Sequence, residues 1–106
     1  MNGAISDLLT DVKAGLEELY GPRLQGVYLY GSYARGEQTE ESDVDVLIVL
    51  DCVNHYAAEI EHTGYLVSPI SLKYGVSVSR VIISGADWEW SRSQFFENAR
   101  RDAVPA

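Results

Sequence analysis

The sequence predicts an α/β (α+β) fold, a small mixed sheet with helices packed on it, and three observations support this. Segments with apolar residues three and four positions apart alternate with short β-rich runs. The run 44–50 is the most apolar in the chain, as expected of a central strand. The 106 residues, 46% of them hydrophobic, can bury one core, so a single domain is predicted over residues 1–106.

The first half of the chain begins with a predicted helix over residues 4–20, which Gly21-Pro22 ends. Its apolar stripe consists of Leu8, Leu9, Val12, Leu16, Leu19 and Tyr20. A β-rich run at 26–30 predicts the first strand. Gly31-Ser32 breaks that strand and is predicted to cap a following turn of helix.

The central strand follows a polar loop at 37–42. We expect residues 44–50 to be buried on both faces beyond Asp45, because apolar side chains occupy both sides of the run.

The second half returns to helical spacing at 54–74, with Ala57, Ile60, Gly64 and Val67 on one stripe. Asn54 is predicted to be the N-cap, and Pro69 to kink or interrupt the helix before Gly75 ends it. Residues 76–83 are predicted to form a strand, and apolar and polar residues alternate over its first half, so that one face there is polar. Residues 86–101 predict helical structure, as one segment or as two short pieces.

The overall charge is acidic, with 16 acidic residues against 8 basic ones and a net charge of -8. Such a chain repels phosphate backbones, so direct binding to nucleic acid is not expected. A single cysteine excludes an internal disulfide and favours a reducing, cytoplasmic location. No apolar stretch approaches the length of a membrane span, so no membrane partner is expected.

The residues that carry chemistry lie between Gly31 and Asp45. Gly31 allows backbone angles closed to other residues and a close approach of a ligand to the main chain. Ser32 offers a hydroxyl and a backbone N–H at the start of a helical turn, where phosphate is favoured. Arg35, one turn later, can pair with phosphate oxygens or remain a solvated helix residue.

Asp43 and Asp45 are two positions apart, so that their carboxylates point to one face of a predicted strand. Two adjacent carboxylates repel each other, and a divalent cation relieves that repulsion. Magnesium prefers oxygen ligands, commonly one or two carboxylates with substrate phosphates. The sequence therefore predicts a cation site beside a phosphate site, which suits a nucleoside triphosphate.

Gly31-Ser32, ten intervening residues and then Asp43-Val44-Asp45 match the signature of the DNA polymerase beta-like nucleotidyltransferase superfamily. The surrounding residues 27–50 resemble its minimal nucleotidyltransferases, the small antitoxins that are paired with HEPN-domain toxins. The order of elements is also similar, so the resemblance covers nearly the whole chain.

The resemblance implies a site and a reaction. It implies that Gly31 and Ser32, with Arg35 and Ser42, bind the nucleotide, and that Asp43 and Asp45 are catalytic ligands of Mg²⁺. The implied reaction moves a nucleoside monophosphate, with ATP as the expected donor, onto an acceptor hydroxyl. In the antitoxin branch that acceptor is a tyrosine of the partner toxin.

One family feature is missing, because the third carboxylate, usual on a later strand, has no counterpart in residues 76–83. Ser77 is the predicted equivalent position, and serine is a poor magnesium ligand. A nearby acid (Glu37, Glu40 or Asp87) or the partner can substitute for it. Alternatively, the domain binds nucleotide or partner without efficient turnover. Arg80 in this strand either holds a phosphate or covers the edge of the sheet.

Overall fold

The computed structural model describes residues 3–106 and confirms the predicted mixed architecture. Four strands run along the described chain: β1 Leu24–Tyr30, β2 Val44–Leu50, β3 Val78–Ser84 and β4 Val104–Pro105. The helices of the same residues are α1 Gly3–Tyr20, α2 Gly31–Arg35, α3 Tyr56–Tyr74, α4 Gly85–Trp90 and α5 Gln94–Asp102. One turn of 3₁₀-helix, Gly21–Arg23, joins α1 to β1.

The strands form one mixed sheet in the order β3-β2-β1-β4. β2 pairs antiparallel with β1 and parallel with β3, and β4 pairs antiparallel with β1. The register places Tyr30 beside Asp45 and Asp45 beside Ser79. These three residues therefore form a row across the sheet where β1 ends and β2 begins.

The core is divided by the sheet into two clusters of buried side chains. On one face α1 and α3 cover Val46, Ile48 and Leu50. On the other face the short helices α4 and α5 cover Leu47 and Val49. Both faces of β2 are therefore buried beyond Asp45, as the apolar run predicts.

Helix α1 confirms its predicted bounds to within one residue. Its buried stripe also includes Ile5, whereas Leu19, which we placed on the stripe, is 45% exposed. Leu19 shares the helical face of the buried Leu8 and Val12, but its side chain is left uncovered in the last turn of α1.

Helix α3 departs from three predictions. It begins at Tyr56, with His55 at the N-cap, while the Asn54 amide donates to Cys52 Sγ at 3.7 Å. The predicted stripe is right at Val67, which is buried, and at Ile60, which packs against the core, but Ala57 is exposed and the other buried positions are Glu59 and Thr63. These two polar residues hydrogen-bond with side chains beneath the helix.

Pro69 does not interrupt α3, which continues without a break to Tyr74. Proline removes the hydrogen bond to the carbonyl four residues earlier, here that of Tyr65. Both residues are exposed, so water can satisfy that carbonyl. Gly75 then ends the helix in the left-handed region at φ 66°, as predicted.

The C-terminal part confirms the alternative of two short helical pieces, α4 and α5. β3 begins at Val78, two residues later than predicted, so Ser77 lies just before the strand. β4 was not predicted; it is two residues long and contains Pro105. No helix among residues 3–106 has the length and apolarity needed to cross a bilayer.

Candidate active site

The centre of the site is a close contact between Gly31 and Asp45. Gly31 begins α2 directly after β1 and has a φ of 73°, a conformation that side chains disfavour. A Cβ added at Gly31 would collide with Asp45 Oδ2 and would lie 3.1 Å from Asp45 Cγ. The backbone angle therefore favours glycine here, and a side chain at this position would displace the Asp45 carboxylate.

The two predicted metal ligands lie together at the start of β2. Asp43 immediately precedes the strand and is exposed, while Asp45 is its second residue and is half-buried. Burial, and then the charge of Asp43, raises the pKa of the Asp45 carboxyl, and Arg35 acts in the opposite direction. The two carboxylates are thus close enough to repel each other.

Ser32 and Arg35 lie on α2, beside these carboxylates. The Ser32 carbonyl accepts a hydrogen bond from the Glu37 N–H at 2.9 Å, which closes the helical turn. Ser32 is inside the helix, so the predicted capping role is wrong: the N-cap is Tyr30. Arg35 forms ion pairs with Glu37 at 3.3 Å and with Asp102 at 3.9 Å.

Ser42 orders the loop that leads to Asp43. Its hydroxyl oxygen accepts a hydrogen bond from the Thr39 N–H at 2.9 Å, and its own N–H donates to the Thr39 carbonyl at 3.1 Å. The loop residues 37–41 are otherwise exposed. Ser42 therefore helps to position Asp43, and its contact with a nucleotide stays a prediction.

Serines lie where the family resemblance predicts a third carboxylate. The Ser77 carbonyl accepts a hydrogen bond from the Val44 N–H at 2.9 Å, which places Ser77 alongside Asp43. The register places Ser79, one strand position further, directly beside Asp45. Within residues 3–106, no group of three or more His, Cys, Asp or Glu side chains is arranged to hold a metal ion. Glu37, Glu40 and Asp87 therefore do not complete such a group.

Arg80 lies on the opposite face of the sheet from Asp45. Its guanidinium donates to Thr63 Oγ1 at 2.6 Å and to the Ile60 carbonyl, so it fastens α3 to β3. Strand alternation explains this, because Val78, Arg80 and Ile82 face α1 and α3 while Ser79 faces the other way. The position of Arg80 on the opposite face therefore excludes that it holds a phosphate at this site. It does more than cover the edge of the sheet, because it also bonds to α3.

A cavity beside Gly31 is lined in part by residues of α5 that the sequence did not assign to the site. It has a volume of about 190 Å³ and is lined by Tyr30, Gly31, Arg35, Phe95, Asn98, Ala99 and Asp102. The signal that could have found them is helical spacing, because positions 95, 98, 99 and 102 form one face of α5.

The arrangement can bind a cation and an anion side by side. Asp43 and Asp45 supply the oxygen ligands that Mg²⁺ prefers, and a divalent ion relieves their mutual repulsion. The hydroxyl of Ser32 and the cation of Arg35 on α2 suit a phosphate group beside these carboxylates. The residues therefore fit a nucleotide held together with a metal ion.

Comparison with known proteins identifies relatives along most of the chain. Residues 9–101 match the family model described as nucleotidyltransferase domain. A chain of Methanocaldococcus jannaschii, provisionally named a protein adenylyltransferase, is 41% identical over 69 residues; the match covers 65% of this chain and 63% of that one. The protein adenylyltransferase MntA of Thermococcus cleftensis is 36% identical over 81 residues, covering 76% and 80%.

Solved structures share the fold. A toxin–antitoxin crystal structure with AMP-PNP aligns with a TM-score of 0.58 at 20% identity and covers 89% of this chain and 68% of that one. A provisionally assigned minimal nucleotidyltransferase gives a TM-score of 0.58 at 23% identity and covers 95% and 94%. These matches confirm the fold that the motif and the order of elements predict.

Proposed function

Because the chain belongs to the nucleotidyltransferase domain family, we propose that it transfers AMP from ATP to a hydroxyl group of a partner protein. The observation that carries this proposal is the contact of Asp45 with Gly31, since it joins the carboxylate pair to the phosphate site. The expected enzyme class is a protein adenylyltransferase, the name that its relatives bear.

In the proposed reaction, the acceptor oxygen attacks the α-phosphorus of ATP while the bond to the leaving pyrophosphate breaks. The phosphates would bind beside Gly31, which leaves room for the Asp45 carboxylate, while Ser32 offers its hydroxyl and Arg35 balances their negative charge. Arg35 exchanges its two carboxylate partners for phosphate, which is favourable because neither ion pair is buried.

Asp43 and Asp45 would hold Mg²⁺ at the start of β2. When bound, Mg²⁺ supplies positive charge against the triphosphate and the developing charge of the reaction. β3 offers Ser79 rather than a carboxylate beside Asp45, so we propose that the partner or solvent takes the proton of the acceptor hydroxyl.

The proposed partner is a HEPN-type toxin, and the proposed acceptor is one of its tyrosines. Support comes from the relative named MntA and from the toxin–antitoxin structures that share this fold. The net charge of -8 favours a basic protein partner over nucleic acid. The single cysteine agrees with a cytoplasmic site of action.

A second candidate function is neutralisation of the partner by contact alone. The observation that favours it is the absence of a third carboxylate beside Asp43 and Asp45 among the described residues. The two functions differ in what Asp43→Ala does: loss of neutralisation supports the enzyme, and intact neutralisation supports the binding module.

The proposed reaction is tested by pyrophosphate release after mixing the chain, ATP, Mg²⁺ and the partner. We expect release from the wild type and a loss of at least about 100-fold in Asp45→Asn, because charge stabilisation at a transferring phosphoryl group is a large effect. Glu40→Gln, an exposed acid of the neighbouring loop, is the control for net charge. Equal release from Asp45→Asn and Glu40→Gln would refute the proposal.

A further inference from the structure

The cavity beside Gly31 has no role in the reaction as proposed above. It opens between the end of β1, the short helix α2 and the face of α5. Arg35 connects its two sides through the ion pair with Asp102 at 3.9 Å. Gly31 and Arg35 line this cavity and also belong to the proposed phosphate site. A nucleotide whose phosphates bind there can therefore extend into the cavity.

The position of the cavity argues against the acceptor as its occupant. Phosphoryl transfer places the attacking and leaving oxygens roughly in line. If Gly31 and Arg35 bind the leaving pyrophosphate on the β1 side of Asp45, the acceptor must approach from the β3 side, where Ser79 lies. The cavity is on the β1 side, so it is left to the nucleotide.

The α5 side of the cavity argues against phosphate. Arg35, on the α2 side, can bind phosphate, but the Asp102 carboxylate on α5 would repel it, and the aromatic rings offer it no charge. Phe95 packs edge to face with Tyr30 at 6.2 Å and with Phe96 at 5.3 Å, yet it remains 42% exposed. An aromatic ring that is held by its neighbours but partly exposed can pack against the face of a planar ring of a ligand.

Polar groups on α5 can form hydrogen bonds with the edge of a planar ring bound in the cavity. Asn98 Oδ1 accepts a hydrogen bond from Gln94 Nε2 at 3.0 Å, which fixes the amide at the cavity wall. An amide has two donors and an acceptor with two lone pairs, so one bond leaves most of its capacity free. Asp102 lies one helical turn further on the same face and supplies acceptor oxygens.

We propose that this cavity is the nucleobase subsite, in which Phe95 and Tyr30 contact the base and Asn98 and Asp102 bind its polar edge. This inference rests on the proposed function and assigns α5 the selection among nucleoside triphosphates. Bases are commonly read in this way, by contact with aromatic faces and hydrogen bonds to an edge. The cavity volume of about 190 Å³ suits a base rather than a whole nucleotide.

The test compares dissociation constants for ATP and for inorganic tripolyphosphate, both with Mg²⁺, by isothermal titration calorimetry. We expect Phe95→Ala to weaken ATP binding about 10-fold, as for the loss of one aromatic contact with a base. Its tripolyphosphate binding should stay within about twofold of the wild type, because tripolyphosphate has no base. Asn98→Ala should reduce the preference for ATP over CTP, and Glu97→Gln, on the exposed side of α5, should change neither.

Three results would overturn the subsite, and they separate it from the proposed function. If Phe95→Ala and Asn98→Ala bind ATP like the wild type while Asp45→Asn does not, the nucleotide binds but its base lies elsewhere. If Phe95→Ala weakens the binding of tripolyphosphate as much as that of ATP, the Phe95 ring stabilises the whole site rather than contacting the base. If the wild type binds neither ligand, the proposed function fails and the subsite fails with it.

Discussion

At the scale of single residues, the site depends on the absence of a side chain at position 31. The Asp45 carboxylate occupies the space in which a Cβ would lie, and Gly31 has a φ of 73°. A glycine at this turn therefore does more than permit a tight bend. It lets the carboxylate lie against the backbone where the phosphates are expected to bind.

Gly31→Ala should abolish nucleotide binding through this collision, and Gly36→Ala is the matched control. Gly36 has nearly the same φ, 71°, but nothing lies within 4 Å of its added Cβ. Each substitution should cost about 1–2 kcal/mol of stability from backbone strain. Calorimetry should show at least about 100-fold weaker binding of Mg-ATP for Gly31→Ala alone, since only it displaces the Asp45 carboxylate. Similar affinities for both variants would show that nucleotide binding does not depend on the contact between Gly31 and Asp45.

The sequence predicted Gly31, Asp43 and Asp45 because they are close in the chain and their spacing determines their geometry. Asn98 and Asp102 were missed because they follow Asp45 by more than fifty residues, and only the packing of α5 against α2 brings them to Gly31. Phe95 was interpreted as a packing residue rather than as a platform for a base. Ser79 was missed for a different reason: the register of β3 against β2 depends on where β3 begins.

At the scale of elements, α3 is held to the sheet by polar contacts as well as apolar ones. Glu59 is 8% exposed, accepts hydrogen bonds from Tyr20 and Arg23, and so joins α3 to α1 and to the turn before β1. Arg80 joins the next turn of α3 to β3. These contacts explain why apolar periodicity did not predict the buried positions Glu59 and Thr63 of α3.

Arg80→Met should destabilise the fold without weakening nucleotide binding. It removes charge-assisted hydrogen bonds to Thr63 and to the Ile60 carbonyl, and we expect a loss of about 1–3 kcal/mol in the free energy of unfolding. The dissociation constant of Mg-ATP should be unchanged, because Arg80 lies on the far face of the sheet from Asp45. Urea unfolding and calorimetry measure the two quantities, and a marked loss of ATP affinity in the folded variant would contradict the structural role.

Glu59→Gln should flatten the dependence of stability on acid pH. Burial alone would raise the pKa of Glu59, but hydrogen bonds from Arg23 and Tyr20 outweigh it and hold the pKa below its ordinary 4.5. Its stabilising contribution is therefore present above about pH 4.5 and is lost as the pH falls through the lower pKa of the folded state.

Urea unfolding between pH 7 and pH 3 measures this effect. The wild type should lose more stability over that interval than Glu59→Gln, which is already less stable at pH 7. Glu61→Gln, an exposed acid on the same helix, serves as the control and should follow the wild type. Parallel curves for the wild type and Glu59→Gln would show that Glu59 does not contribute in this way.

The regular elements were predictable where local sequence decides the structure. α1 and β2 have strong apolar patterns, and their bounds were found within one residue. Tertiary context decided the others: exposure allows Pro69 inside α3, and β4 exists only because β1 offers a free edge to Val104. A two-residue strand carries no periodicity of its own.

At the scale of the whole molecule, the sheet separates support from chemistry. α1 and α3 bury one face in a large apolar cluster, while Asp45 and the cavity lie on the face that carries α4 and α5. The packing of α1 and α3 against one face can hold the carboxylates in place, while the site on the other face is accessible to nucleotide and partner. This division suits the small acidic transferase that we propose.

AMP transfer is tested most directly by the intact mass of the partner protein after incubation with the chain, ATP and Mg²⁺. We expect a gain of one AMP per partner with the wild type, and none with Asp43→Ala or when Mg²⁺ is chelated. Tandem mass spectrometry should then place the AMP on a tyrosine. An unchanged mass in a partner that is tightly bound and neutralised would contradict the transferase and would establish the binding module instead.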